Sequence, residues 1–199
     1  MSVEQSKATR GKGLLEPFLA RLRANKANQL IPAEARRGRI LDIGCGSYPY
    51  FLTHTNFSEK YAIDQLPLKL EGTGIHWHQA DLNAKPVLPY ADGYFDIITL
   101  LAVVEHLNPN SLPQLLAEAR RALKPGGKVI ITTPAGWTDN LLHWMARLSL
   151  VSAEEIDEHA YAYTLPTLGW CFGRAGFAMH NIRLGYFELG LNLWATAQR

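Results

Sequence analysis

The chain has few of the features that mark secreted, metal-binding and membrane-spanning proteins. Only two cysteines occur among its 199 residues, and Cys45 and Cys171 lie far apart, so neither a disulfide framework nor a zinc site is expected. The longest strongly apolar run, Ile97 to Val104, is much shorter than the ~20 residues that cross a bilayer, which argues against membrane insertion. Charged residues and a proline interrupt Leu14 to Leu22, so no signal peptide is predicted. These absences favour a reduced, cytoplasmic setting.

An excess of one charge sign is also missing from the chain as a whole. The net charge of +2 comes from 20 Lys and Arg against 18 Asp and Glu, too balanced for binding nucleic acid by charge alone. The distribution is uneven, because residues 1 to 39 carry nine basic and three acidic side chains. We interpret this segment as a solvated amphipathic helix; the alternative is a patch that meets phosphate or an acidic partner. With 47% apolar residues, residues 1–199 are expected to form a single domain.

Short apolar runs that alternate with helical segments make up the centre of the chain. Five runs are predicted to be strands: Arg39 to Ile43, Lys60 to Ile63, Ile75 to Gln79, Phe95 to Leu101 and Lys128 to Thr132. Apolar residues at three- and four-residue spacing predict a helix over Leu112 to Leu123, with Ser111 as its N-cap and Pro125 to Gly127 as its stop. Strands separated by helices predict an α/β fold with a doubly wound, mostly parallel sheet. Its ligand crevice should lie at the carboxyl ends of the strands.

Three further segments flank this core of residues 39–135. Residues 1–38 are predicted to be helical, with one apolar face made by Leu14, Leu15, Phe18, Leu19 and Leu22. Residues 136–165 are predicted to form a lid or acceptor segment, with a helix around Leu141 to Leu150. Residues 166–199 are predicted to form a helix and an antiparallel hairpin made of Phe177 to Ile182 and Tyr186 to Ala197, with Gly185 and Gly190 as breaks. The hairpin would bring the sheet to seven strands.

A glycine-containing loop follows the first predicted strand. Gly44 and Gly46 in Ile40 to Gly46 allow a sharp turn and a close approach of the backbone to a ligand. The loop lacks the third glycine of a dinucleotide fingerprint, which counts against an NAD-dependent oxidoreductase. Asp42 places a carboxylate before the turn, where it would repel a pyrophosphate and attract an ammonium group.

Two more acids end the next two predicted strands. Asp64 lies 22 residues after Asp42, where a carboxylate can accept hydrogen bonds from ribose hydroxyls. Asp81 ends the third strand and is placed to accept a hydrogen bond from the exocyclic amine of a purine. The three acids match the amino-acid group, the ribose and the adenine of S-adenosylmethionine.

The same segments give the chain a resemblance to the class I S-adenosylmethionine-dependent methyltransferases of the small type 11/12. The matching segments, in order, are Ile40 to Gly46, Tyr61 to Asp64, Ala80 to Leu82, Leu88 to Asp96 with Val104 to Leu107, and Leu123 to Gly127. The segments around Tyr163 and Arg174 to Phe177 resemble the last helix and sixth strand of the family. The resemblance implies a Rossmann-like sheet and the cofactor S-adenosylmethionine, with S-adenosylhomocysteine as product.

The expected cofactor-binding residues follow from these segments. They are Asp42, Gly44, Cys45, Gly46, Asp64, Gln65, Asp81, Leu82 and Leu101. The chain departs from the family at Tyr48, where a small residue is common. An aromatic ring there would pack beside the methionine part of the cofactor or shift the turn.

The candidate catalytic residues are bases that could remove a proton from a hydroxyl or amine acceptor during in-line methyl transfer. His159, in the segment expected to cover the acceptor, is favoured narrowly over His106, which follows Glu105 just after the fourth strand. His106 could instead cap a helix, and His159 could be an exposed residue of the lid. Tyr163 and His143 are further candidates.

Two patterns of related enzymes are missing. The family's metal-binding pattern ExxEH would need a carboxylate where the chain has Ala102, so no metal is predicted. The fourth strand ends Leu100, Leu101, Ala102 and lacks the Asn/Asp-Pro-Pro-aromatic motif of many nucleic-acid amino-methyltransferases, which argues against nucleic acid as the substrate. We expect an enzyme that methylates a small organic acceptor, preferably on oxygen. The alternatives are a non-catalytic cofactor-binding or adaptor protein of the same fold, or a nucleic-acid methyltransferase; the oligomeric state stays open.

Overall fold

The computed structural model describes residues 15–67, 72–138 and 160–199. Within these ranges the helices are α1 (Glu16–Leu30), α2 (Tyr50–Thr53), α3 (Leu112–Ala122) and α4 (Leu165–Arg174). The strands are β1 (Arg39–Ile43), β2 (Glu59–Asp64), β3 (Ile75–Gln79), β4 (Phe95–Leu101), β5 (Leu123–Pro134), β6 (Ile182–Phe187) and β7 (Asn192–Gln198). The predicted helix at Leu141 to Leu150, and with it His143 and His159, lies outside the described residues.

The seven strands form one sheet in the order β3-β2-β1-β4-β5-β7-β6. Strands β1 to β5 run parallel, whereas β7 is antiparallel to both β5 and β6. This confirms the predicted mostly parallel, doubly wound α/β sheet with a C-terminal hairpin. The strand order reverses between β1 and β4, so the crevice expected of such sheets lies at the carboxyl ends of these two strands.

Strand β5 starts earlier than the sequence predicts. Phe95 pairs with Leu123, and after a register shift Ile97 pairs with Lys128. The Pro-Gly-Gly stretch expected only to stop the preceding helix therefore forms an irregular part of the strand. The helix itself ends at Ala122, one residue before the predicted Leu123, and the Ser111 side chain does not cap it.

The hairpin forms, but its first arm is shifted relative to the prediction. Phe177 is buried in the core and residues 179–181 form a short 3₁₀ turn, so the strand begins only at Ile182. Gly185, predicted as a break, lies inside β6. A Cβ atom there would come within 2.7 Å of the Trp194 indole nitrogen, so the glycine makes room for a ring on the neighbouring strand.

Helix α1 packs on one face of the sheet through a stripe of small residues, not through the predicted leucine face. Its buried residues are Ala20, Ala24 and Ala27, followed by Ile31, whereas Phe18 is 57% exposed. Alanines at this spacing let the helix axis come close to the apolar side chains of β1, β4 and β5. Helices α3 and α4 cover the opposite face. The division of residues 1–199 into segments of one domain stays a prediction.

Candidate functional site

The loop after β1 turns sharply at Gly44 and Gly46, whose φ angles are +74° and +68°. The Gly44 amide donates to the Ile63 carbonyl over 2.8 Å, which holds the loop at the carboxyl end of β2. A Cβ atom on Gly44 would lie 2.4 Å from a methyl carbon of Val103, in the segment after β4. The glycine therefore allows the loops after two neighbouring strands to touch.

Asp42 is buried beside this loop, at the switch point of the sheet. One carboxylate oxygen accepts a 2.6 Å hydrogen bond from the Thr99 hydroxyl, because the β1–β4 register places the two residues opposite each other. Burial raises the pKa of Asp42 to about 7, against the lowering effect of the Thr99 hydrogen bond. A carboxylate in such surroundings gains when a cationic group arrives.

Asp64 joins the glycine loop to the end of β2. Its Oδ2 accepts from the Gly46 amide and its Oδ1 from the Leu66 amide, each over 2.8 Å. Each carboxylate oxygen can accept a second hydrogen bond, so the residue can also receive hydroxyl donors. Gln65, the next residue, is exposed, and its carbonyl accepts from the Gln79 side chain.

Asp81 follows β3 and is exposed. Its Oδ1 accepts from the amides of Asn83 and Ala84, which fixes a local turn and the orientation of the carboxylate. Leu82 is buried next to it, and Leu101 is half-buried at the end of β4. The sheet order brings the carboxyl ends of β3, β2, β1 and β4 side by side along one edge, and the predicted cofactor residues lie at or just after these ends.

The remaining predicted residue of the loop, Cys45, has a buried side chain. Its thiol donates to the Gly46 carbonyl over 3.3 Å, and burial raises its pKa. A thiol of this kind is protonated and unreactive at neutral pH. Any contact of Cys45 with a ligand would therefore come from its backbone. Tyr48, further along the loop, is half-buried.

The structure places two of the three main base candidates. His106 is half-buried and ends a single 3₁₀ turn, Val104–His106, directly after β4. Tyr163 is 1% exposed, and its hydroxyl has no hydrogen-bond partner within the described part of the chain. Burial raises the pKa of Tyr163, which disfavours the ionised form needed of a base.

Residues 160 and 161 lie beside the turn that carries His106. The amides of Ala160 and Tyr161 donate to the Glu105 carbonyl over 2.7 and 3.3 Å. The Glu105 carboxylate is buried and accepts a 3.0 Å hydrogen bond from the Thr133 hydroxyl of β5. The residue that immediately precedes Ala160 is His159, so the described chain resumes beside the turn that carries His106.

Sequence reasoning missed Thr99, Val103 and Thr133 as parts of this site. Thr99 gives a weak signal, because it is a hydroxyl residue within an otherwise apolar stretch of β4. Val103 and Thr133 give none, since their roles depend on contacts between strand ends that are far apart in the sequence.

Within residues 15–67, 72–138 and 160–199, no group of three or more His, Cys, Asp or Glu side chains is placed to hold a metal ion. None of the helices in these ranges is long and apolar enough to cross a membrane.

Comparison with known proteins agrees with this geometry. A family model described as a methyltransferase domain matches residues 14–182. Comparison with curated proteins found no match. A methyltransferase structure from Archaeoglobus fulgidus has a TM-score of 0.68 at 16% identity and covers 90% of this chain and 94% of its own. One from Mesorhizobium loti has a TM-score of 0.62 at 19% identity, with 93% and 97% covered.

A third similar structure differs in length and carries ligands. Phosphoethanolamine N-methyltransferase 2 from Haemonchus contortus, in complex with phosphomonomethylethanolamine and S-adenosylhomocysteine, has a TM-score of 0.62 at 14% identity. The match covers 90% of this chain and 53% of that one. Because the family model matches most of the sequence, the chain belongs to the methyltransferase domain family, and its fold is that of S-adenosylmethionine-dependent methyltransferases.

Proposed function

We propose that the protein transfers the methyl group of S-adenosylmethionine to a hydroxyl oxygen of a small organic acceptor. The observation that carries the proposal is the position of His106, which ends the turn directly after β4, the strand beside β1 at the switch point. A hydroxyl acceptor must lose a proton as the methyl group arrives, and an imidazole has a suitable pKa for taking it.

In this proposal the cofactor is held along the carboxyl edge of β1 to β4. Asp42 faces the ammonium of the methionine part, Asp64 accepts from the ribose hydroxyls, and Asp81 accepts from the adenine amine. The buried Asp42, the free lone pairs of Asp64 and the turned glycine backbone fit a ligand with a cationic and a hydroxylated end. The cofactor supplies the sulfonium methyl, while the chain binds it, orients it and excludes water.

His159 and His106 are the proposed bases. The Ala160 amide is bonded to the Glu105 carbonyl, so the chain that follows His159 lies against the turn that carries His106. Tyr163 is the weaker candidate, because it is buried and its pKa is raised. No role for a metal is proposed.

The proposal is tested in two stages. Calorimetric titration with S-adenosylhomocysteine should show binding by the unmodified chain. A methyl-transfer screen of a metabolite library, with isotopically labelled S-adenosylmethionine and mass spectrometry, should then give a product methylated on oxygen. Label on nitrogen or carbon would refute the assignment to oxygen. A neighbour of similar fold is an N-methyltransferase, so the fold leaves this choice to the experiment.

A further inference from the structure

The turn between β6 and β7, residues 188–191, lies at the same edge of the sheet as the proposed cofactor site. Asn192, the first residue of β7, pairs with Pro134 at the carboxyl end of β5. The Ala135 amide donates to the Leu191 carbonyl over 2.9 Å, which holds the turn against the chain leaving β5. Neighbouring strands are about 4.8 Å apart, so β7 is roughly 10 Å from β4. A small acceptor can span this distance.

The backbone of this edge contains every left-handed non-glycine residue of the described ranges. Ala102, directly after β4, has a φ of 55°, and the adjacent turn residues Glu188 and Leu189 have φ values of 53° and 57°. This conformation is unfavourable for residues with a side chain, and strained residues concentrate at functional sites. Glycine or asparagine would adopt the turn more easily, so a structural turn alone does not explain Glu188 and Leu189.

One carboxylate oxygen of Glu188 has a hydrogen-bond partner, and the other has none within the described part of the chain. Oε2 accepts a 2.6 Å hydrogen bond from the Asn192 side chain. Oε1 is buried and has no hydrogen-bond partner within residues 15–67, 72–138 and 160–199. Burial raises the pKa of Glu188, and the positive charge of Arg23 on α1 opposes the rise. A buried oxygen that accepts no hydrogen bond lowers the stability of the folded protein, so a hydrogen bond from a ligand to this atom would be favourable.

An apolar surface and two positive charges surround the turn. The Trp137 side chain is 61% exposed, and its ring is 3.9 Å from where a Cβ atom of Gly190 would lie. Lys26 Nζ is 4.7 Å from the Trp194 ring centroid, on the face of the sheet that α1 covers. With Arg23 and Lys26 close by, the surroundings do not favour an additional cation. They suit a neutral hydrogen-bond donor attached to a flat apolar group.

We infer that Glu188 determines acceptor specificity: its Oε1 accepts a hydrogen bond from a hydroxyl group of a neutral acceptor, whose apolar face rests on Trp137. The hydroxyl that binds Glu188 is not the one that is methylated, since the turn is two strands away from β4. The inference rests on the proposed function and names its substrate class, a neutral ring-containing molecule with two hydroxyl groups. It also extends the acceptor site beyond residues 136–165, the segment that was predicted to bind the acceptor.

The test compares three probes that share a phenol and differ at the far end. Tyrosol carries an alcohol, tyramine an ammonium and 4-hydroxyphenylacetate a carboxylate. Calorimetry with the full chain, with and without S-adenosylhomocysteine, should give tyrosol the highest affinity. Glu188→Gln should weaken tyrosol binding roughly tenfold or more, because it replaces a charged acceptor by a neutral one. Glu34→Gln is the matched control, since Glu34 is exposed in the turn before β1, at the opposite edge of the sheet.

Each outcome decides the inference. Equal tyrosol affinity in the parent and Glu188→Gln would overturn the role of Glu188, and so would an equal loss in Glu34→Gln. Preference for tyramine, or no binding of tyrosol at millimolar concentration, would overturn the neutral hydroxylated class. Thermal unfolding of Glu188→Gln should occur no earlier than that of the parent, which separates a binding effect from misfolding. Failure of S-adenosylhomocysteine to bind would instead refute the proposed function, while the titrations without it still test Glu188.

Discussion

Replacing Asp42 by Asn should remove the part of the pH dependence of the free energy of unfolding that comes from the Asp42 carboxyl group. Burial raises its pKa from 3.8 to about 7, so the folded protein keeps a proton that the unfolded chain releases. The contribution to the free energy of unfolding is present in full below about pH 4 and is lost as the pH rises through 7. A difference of about 3 pKa units corresponds to about 4 kcal/mol.

Urea denaturation at two pH values measures the effect. Between pH 5 and pH 8 the free energy of unfolding of the parent should fall by roughly 2 to 3 kcal/mol more than that of Asp42→Asn. Asn preserves the shape and can still accept the Thr99 hydrogen bond. Thr99→Val is the companion variant: it removes the hydrogen bond that lowers the Asp42 pKa, so the loss of stability should move to higher pH.

An equal pH dependence in the parent and Asp42→Asn would refute the reasoning. It would mean that Asp42 is ionised in the folded protein at pH 5, through water or backbone movement that hydrates it. A second consequence concerns ligand binding. If the ammonium of S-adenosylhomocysteine lies beside Asp42, its charge lowers the Asp42 pKa and binding near pH 6 releases a proton. The calorimetric enthalpy should then depend on the ionisation enthalpy of the buffer, and Asp42→Asn should lose that dependence.

Three other predictions follow from the same edge of the sheet. Asp64→Ala should weaken S-adenosylhomocysteine binding at least tenfold. It should also lower the unfolding midpoint, because two backbone amides that donate to the Asp64 carboxylate lose their acceptor. Unchanged affinity would refute the proposed contact of Asp64 with the ribose. Gly44→Ala should destabilise the fold by about 2 kcal/mol through collision with the valine after β4. Gly72→Ala, with a similar positive φ but open space, should cost less, and equal losses in urea denaturation would exclude the collision. Removing the side chain that takes the proton from the acceptor should lower the single-turnover rate of methyl transfer by about 10²- to 10⁴-fold without changing cofactor affinity. His159→Ala is expected to show this more than His106→Ala, and full rates in both variants would exclude both residues as the base.

The positions of the strands were largely predictable because each buried strand is a short apolar run with its own boundaries. Strand β5 was one exception, and the first arm of the hairpin was another. Pro125 and two glycines mark a break in any local pattern, yet Leu123 pairs with Phe95 across the bulge. The contact face of α1 was missed for a related reason. The leucines predicted an apolar contact face, but the alanines are the buried residues because their small side chains permit close packing of the helix on the sheet.

The three acids of the proposed site were predictable because each lies at or just after the carboxyl end of its own strand. Their partners were not. Thr99 meets Asp42 through the register of two strands that are far apart in the sequence. The role proposed for Glu188 could not be predicted from the sequence. Neither Glu nor Leu favours the left-handed backbone of its turn, and no sequence pattern indicates a residue with a strained backbone. The proposed site is thus predictable where single strand ends define it and unpredictable where tertiary contacts do.

The amide of Gly136 donates to the Tyr163 carbonyl over 2.9 Å, so the two ends of the intervening 26 residues are fastened together. A Cβ atom at Gly136 would lie 3.0 Å from that same carbonyl, which makes glycine the residue that permits the closure. Doubling the length of a flexible loop costs only about 0.6 kcal/mol of closure free energy, so the joined ends at residues 136 and 163 set only a weak limit on how many residues an engineered insertion can add between them. The hydrogen bond would hold such an insertion beside the chain that leaves β5, at the carboxyl edge of the parallel strands.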